Sequence, residues 1–114
     1  MTIRIFQLKR DEAARRVVFE DYEYHIGILG SVSPQNYNEV YSCHFDHPFS
    51  SLFIQSILDL VFMKFNTDLP KDFSGHSLSV SDVIVLEADT NIFAFYVDPL
   101  SFKEIPCFVE AIRK

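Results

Sequence analysis

The sequence predicts an α+β domain: a mostly antiparallel sheet of about five strands with one major helix, residues 50–65, packed on one face. Short segments that alternate apolar and polar side chains, or that are apolar throughout, indicate the strands. A segment without proline or glycine indicates the helix, because its apolar residues share one helical face: Ile54, Ile57, Leu58, Val61 and Phe65. No repeat or linker is present, so residues 1–114 are expected to form one domain, with a partly open barrel as the alternative closure.

The first half of the chain is expected to begin with a strand and to reach a second long strand through irregular structure. Residues 2–9 alternate as strands do, and the charged residues 9–16 favour a turn or a short helical segment. A short strand at 17–19 and a helical turn at 20–25 follow. A connection marked by Gly, Ser and Pro then leads to an alternating strand at residues 37–45.

The second half is expected to hold the major helix and three strands. Ser50 is placed to cap the amino end of the helix. Apolar residues at 82–87 indicate a central strand, and residues 92–97 return as its neighbour. The last strand is expected within residues 102–109, at an edge of the sheet, because Pro106 cannot donate a ladder hydrogen bond.

Composition and charge limit the classes of function. The net charge is −6, yet residues 1–16 sum to +3 (five basic, two acidic) and the remainder sums to −9 (five basic, fourteen acidic). Overall acidity argues against nonspecific binding to a nucleic-acid backbone and is compatible with a basic protein partner. A soluble cytoplasmic protein is expected, because the start lacks a signal-peptide core, no segment can span a membrane and only two cysteines occur.

The densest group of potentially reactive side chains lies in residues 75–82, immediately before the central strand. A motif serine as nucleophile, His76 as base and Asp82 as its orienting carboxylate would make a hydrolase. The segment has no Gly-x-Ser-x-Gly elbow, and such triads usually converge from separate segments. A structural role is favoured, in which short polar side chains hydrogen-bond backbone groups and hold a turn: Ser77, Ser79, Ser81 and Asp82.

Two further groups of polar residues are candidate sites. Possible metal ligands occur together at Cys43, His44, Asp46 and His47, and Cys107 is another. Because neighbouring strand residues point to opposite faces, a free core cysteine and surface histidines are favoured, and no metal or cofactor is expected. A basic segment near Tyr22 and Tyr24 suggests a nucleic-acid module, although a solvated loop is favoured: Lys9, Arg10, Arg15 and Arg16.

The outer stripe of the major helix is a third candidate surface. It is polar at Gln55, Ser56, Asp59 and Asn66, but Leu52 and Met63 project into it and Phe62 lies at its edge. Cover by a neighbouring loop is favoured for these apolar side chains. The alternative is that they anchor a partner, as exposed apolar clusters often do.

The motif Gly75-His76-Ser77-Leu78-Ser79-Val80-Ser81-Asp82 resembles the signature of the YodL-like family, and segments along nearly the whole chain resemble its pattern. The resemblance implies a domain of Gram-positive bacteria, often carried by conjugative or phage-like elements, without an established enzymatic chemistry. We therefore expect a small acidic, non-enzymatic protein-binding module of a mobile element that inhibits a host or phage-defence protein. A regulator of the actin-like cytoskeleton is the alternative. The expected binding residues are His76, Ser77 and Ser79, with Leu52, Asp59 and Met63 on the helix; a homo-oligomer is left open.

Overall fold

The computed structural model describes residues 1–46 and 49–113. Its helices and strands, in chain order, are β1 (Thr2–Leu8), α1 (Glu12–Arg15), α2 (Tyr22–Leu29), β2 (Tyr37–His44), α3 (Ile54–Thr67), β3 (Val83–Ala88), β4 (Asn91–Val97), β5 (Phe102–Glu104) and α4 (Pro106–Ile112). The strands form one five-stranded sheet in the order β2-β1-β3-β4-β5, and every pairing is antiparallel. The predicted α+β class is confirmed. The barrel alternative is wrong, because the outer strands β2 and β5 do not pair with each other.

The helix α3 covers one face of the sheet, as predicted. Its inward side chains are fully buried against Ile3 and Ile5 of β1 and against Ile84 and Leu86 of β3; these helix residues are Ile57, Leu58, Val61 and Phe65. The Ser50 hydroxyl accepts a hydrogen bond from the backbone N–H of Leu52 at 3.3 Å, so the predicted cap closes a short 3-10 turn that precedes the helix. Burial of apolar residues at helical spacing therefore fixes the position of α3.

The other face of the sheet is also covered, by α2 and α4, and this layer was not predicted. Pro106 is the first residue of α4, where a missing N–H is tolerated, and it does not belong to an edge strand. Phe108 and Val109 of that helix pack against the β-sheet face formed by Phe6, Val83, Val85, Ala94 and Tyr96. The last strand, β5, lies within the predicted range 102–109 and at the predicted edge of the sheet, but the helix that follows it was not predicted.

The first half differs from its prediction in two places. Residues 17–19 form a turn, with Phe19 at a positive φ of 63°, so the predicted short strand is wrong. The predicted helical turn continues as α2 through Gly27 to Leu29, and Gly30 ends the helix at φ 84°. Asp21 caps its start, accepting a hydrogen bond from the N–H of Tyr24 at 2.8 Å.

A β-bulge interrupts the pairing of β1 with β2. Ile5 faces Tyr41 and Phe6 faces Glu39, so Val40 is the extra residue on the outer strand. Its carbonyl accepts a hydrogen bond from the Ser74 hydroxyl at 2.9 Å. The bulge thus brings the segment after α3 against the start of the sheet.

Candidate functional site

The segment between α3 and β3 is attached to β1 through the side chain of Gln7, which is almost fully buried. Its Nε2 donates hydrogen bonds to the carbonyl oxygen of His76 at 2.8 Å and to Oδ2 of Asp82 at 3.0 Å. Its Oε1 accepts from the N–H of His76 at 3.1 Å. One amide thus spans the motif and connects it to β1. Gln7 falls within the predicted first strand, residues 2–9, and a polar residue at an inward strand position is a signal that it has a buried partner.

Asp82 is the carboxylate at the centre of this network. Its Oδ2 also accepts a hydrogen bond from the N–H of Ser79 at 2.8 Å, and the residue is only 1% exposed. Burial raises the pKa of this carboxyl to about 8, although the hydrogen bonds from Ser79 and Gln7 act in the opposite direction. A buried carboxyl with two donors on one oxygen organises the turn.

The other serines bear out the structural interpretation in part. Ser79 Oγ donates to the carbonyl oxygen of Ser77 at 2.8 Å, within the motif. Ser81 bonds outside it: its hydroxyl accepts from the N–H of Phe19 at 3.0 Å, and its carbonyl accepts from the Tyr37 hydroxyl at 2.7 Å. These contacts hold Ser81 at a φ of 85°, a left-handed conformation that non-glycine residues rarely adopt. The turn is fixed by both near and distant partners.

The described residues do not assemble the serine–histidine–aspartate triad of the hydrolase alternative. Nδ1 of His76 lies 2.7 Å from the carbonyl oxygen of Ser77 and therefore carries a hydrogen that it donates there. The carboxyl group of Asp82 accepts hydrogen bonds from Gln7 and Ser79, and the Ser79 hydroxyl donates to a backbone carbonyl. None of these three groups is arranged to relay a proton to another.

Gly75 is required where the motif passes over β1. A Cβ atom at this position would collide with Oε1 of Gln7 and would lie 3.2 Å from Cγ2 of Val40. The absence of a side chain therefore allows the backbone of the motif to approach the amide that binds it.

A cleft of about 560 Å³ opens beside His76, and we call it the His76 cleft. Its lining comes from β1, β2 and the motif: Gln7, Leu8, Arg10, Asn38, Val40, Ser74, Gly75 and His76. The ring of His76 contacts the exposed ring of Phe19 edge-to-face, with centroids 5.7 Å apart. Arg10 of the predicted basic segment thus joins the predicted motif at one cleft, whereas Arg15 and Arg16 are exposed at α1 and do not line it.

The outer surface of α3 and of the 3-10 turn before it bears several exposed apolar side chains. Leu52 is 86% exposed and Met63 is 58% exposed, so the expected cover by a loop is wrong. Phe53 and Leu60 are also exposed, and Asp59 among them accepts a hydrogen bond from Gln55 at 3.1 Å. We call these five residues, Leu52, Phe53, Asp59, Leu60 and Met63, the α3 surface.

A second cleft, of about 300 Å³, separates this surface from the turn between β4 and β5. Asp59 and Phe62 line one side of it, and Asp98 and Leu100 line the other. Leu100 is 99% exposed. The cleft thus combines apolar walls with two carboxylates.

The candidate metal ligands do not come together. Cys43 packs toward the α3 face, whereas its neighbour His44 is exposed. Cys107 is exposed on α4, which covers the opposite face of the sheet. His47 lies outside the described residues. Within residues 1–46 and 49–113, no three His, Cys, Asp or Glu side chains are placed to hold a metal ion.

An open antiparallel sheet between helical layers, with its α3–β3 segment attached to β1 by a glutamine, defines a small α+β domain without an assembled catalytic triad among its described residues. The chain belongs to the YodL-like family: the model of the YodL-like domain matches residues 2–108. No curated protein and no solved structure matches the chain. Across the described residues, every helix is too short or too polar to cross a bilayer.

Proposed function

We propose that this domain is a non-enzymatic protein-binding module that acts by occupying a surface on its partner with the α3 surface. The exposure of four large apolar side chains, Leu52, Phe53, Leu60 and Met63, carries the proposal. Groups of exposed apolar side chains rimmed by polar residues mark interaction sites in soluble proteins. The inward face of the same helix is fully used in the core, so these residues are not needed to hold it.

The acidic residues at and beside the α3 surface indicate which charges the partner's surface should carry. Asp59 lies within the α3 surface, and Asp98 lies across the adjoining cleft beside the fully exposed Leu100. The chain as a whole carries a net charge of −6. A partner surface with an apolar centre and a rim of Lys or Arg complements this arrangement, and complementary charge speeds and orients association.

The biological setting of the proposal rests on the family. Because YodL-like domains are associated with mobile elements of bacteria, the proposed partner is a host or phage-defence protein that the domain inhibits in the cytoplasm. Two free cysteines are compatible with a reducing compartment. A filament of the actin-like cytoskeleton is the alternative partner.

The proposal is tested with the purified domain as bait in a host lysate, followed by titration of the captured protein. Leu52→Ser and Met63→Ser remove apolar area from the α3 surface; Tyr24→Ser, on α2, is the matched control because Tyr24 is 47% exposed on the other face of the sheet. We expect saturable capture by the wild type and by the control, and at least about tenfold weaker binding by the α3 variants, as expected for contacts worth 1–2 kcal/mol.

All variants should remain as stable as the wild type, because exposed substitutions rarely change stability by more than about 0.5 kcal/mol. Absence of a saturable partner, or equal binding by the α3 variants, would contradict the proposal. Capture of a defence protein supports the inhibitor form, and co-sedimentation with actin-like filaments supports the alternative.

A further inference from the structure

The His76 cleft differs in charge from four other clefts of the domain. Four others formed by the described residues each carry at least one carboxylate: Glu87, Asp59, Asp21 and Glu104 are examples, one from each. The His76 cleft is lined by no Asp or Glu, in a chain that contains 16 of them. Its one charged lining residue is Arg10. The cleft is therefore a local exception to the acidity of the domain.

Three polar side chains of this cleft retain hydrogen-bonding capacity. Arg10 and Asn38 make no side-chain hydrogen bond or ion pair with any described residue. The ring of His76 is held from one side, because Nδ1–H donates to the carbonyl oxygen of Ser77. Its Nε2 makes no hydrogen bond within the described chain and, in the neutral ring, keeps a lone pair. By contrast, both hydrogens of the Gln7 amide are already used, in bonds to His76 and Asp82.

We propose that the His76 cleft binds a small molecule through a phosphate monoester group, with Arg10, Asn38 and Nε2 of His76 as the recognising groups. The guanidinium supplies charge and paired donors to the phosphate oxygens. Asn38 supplies an amide donor. Leu8 and Val40 give the rest of the ligand an apolar wall, and a volume of about 560 Å³ suits a molecule of sugar-phosphate or nucleotide size.

The lone pair of His76 favours phosphate over other anions. A phosphate monoester has its second pKa near 6, so a fraction of it still carries a proton at neutral pH. That P–O–H group donates to Nε2 while the remaining oxygens accept from Arg10 and Asn38. Sulfate and carboxylates carry no such proton at neutral pH, so they cannot donate a hydrogen bond to Nε2 of a neutral imidazole. The proposed ligand is thus distinguished from other anions by the hydrogen of its P–O–H group as well as by its charge.

The test is a titration of the isotope-labelled domain followed by amide chemical shifts at pH 7, with ribose 5-phosphate, sodium sulfate and ribose as probes. We expect saturable shifts at Asn38, Gly75 and His76 with ribose 5-phosphate, weaker binding of sulfate and none of ribose. Arg10→Gln and His76→Asn should each weaken the phosphate ester at least about tenfold, the effect of losing one charge-assisted hydrogen bond. Asparagine keeps a donor for the Ser77 carbonyl, while it removes Nε2 together with the ring that contacts Phe19.

Arg16→Gln is the matched control, because it removes the same charge from an exposed residue that does not line the cleft. It should bind the phosphate ester as the wild type does. Equal weakening by the control would show nonspecific charge attraction and overturn the proposal. So would sulfate binding as tight as that of the phosphate ester, or absence of shifts at the cleft. The outcome is independent of the α3 surface, which none of these variants changes.

Discussion

Asp82 should make the stability of the domain depend on pH, and Asp82→Asn should remove that dependence. The carboxyl is 1% exposed, and burial raises its pKa to about 8 from 3.8. Asparagine keeps a carbonyl oxygen for the hydrogen bonds from Gln7 and Ser79, and it does not ionise. The substitution therefore tests ionisation while leaving the network in place.

The direction in which stability changes with pH follows from the number of protons bound by the folded and unfolded states. Because the folded pKa lies above the unfolded one, the folded state holds the proton between about pH 4 and pH 8, and stability falls as pH rises through that window. At about 1.4 kcal/mol per pKa unit, the full shift corresponds to on the order of 6 kcal/mol, of which about 4 kcal/mol is expressed between pH 5 and pH 9. That is a large part of the 5–15 kcal/mol that stabilises a typical domain.

The assay is urea unfolding at pH 5, 7 and 9 for the wild type, for Asp82→Asn and for Asp46→Asn, an exposed control. Relative to the wild type, Asp82→Asn should gain several kcal/mol of unfolding free energy from pH 5 to pH 9. The Asp46→Asn difference should stay constant within about 0.5 kcal/mol. A wild-type minus Asp82→Asn difference that does not change with pH would refute the assignment of a neutral, buried carboxyl to this position.

The remaining predictions concern a buried histidine and two glycines. His25 is fully buried between Tyr37 and Tyr96, and burial lowers its pKa below 6.5, against a hydrogen bond with the Ser31 backbone. Stability should therefore be lost as pH falls below about 6.5 through the folded pKa, and His25→Leu should reduce that loss in urea unfolding at pH 5 and 7; an unchanged acid dependence would contradict this. Gly75→Ala should cost about 2 kcal/mol or more in thermal unfolding, because its Cβ displaces Gln7 from the network. Gly27→Ala, in open space within α2, should instead stabilise by about 0.5–1 kcal/mol, and loss of stability there would refute the helix assignment.

The parts of the fold that the sequence predicted are those with strong local patterns. The spacing of apolar residues gave the face of α3 that is buried, and the apolar run at 82–87 gave the central strand. The helix α4 was missed because its first residue, Pro106, was interpreted as an edge signal when it is equally suited to the first turn of a helix. The extent of α2 was missed because Gly27 was interpreted as a breaker.

The candidate site was predictable only where its contacts are local. The bond from the Ser79 N–H to Asp82 spans three residues, and a bond of this kind is expected from the short polar side chains of the motif. Gln7 binds His76 across 69 residues of chain, and no sequence pattern specifies a contact of that length. The meeting of Arg10 with His76 in one cleft has the same origin, because it follows from the pairing of β1 within the sheet.

The bulge at Val40 has a consequence for how this protein meets other chains. An outer strand with free carbonyls can template the addition of a foreign strand, and such edges lead to aggregation. At Val40 the carbonyl is already occupied by the Ser74 hydroxyl, and the extra residue breaks the regular spacing that an incoming strand would need. The same irregularity that brings the motif against the sheet thereby interrupts its most extended open edge.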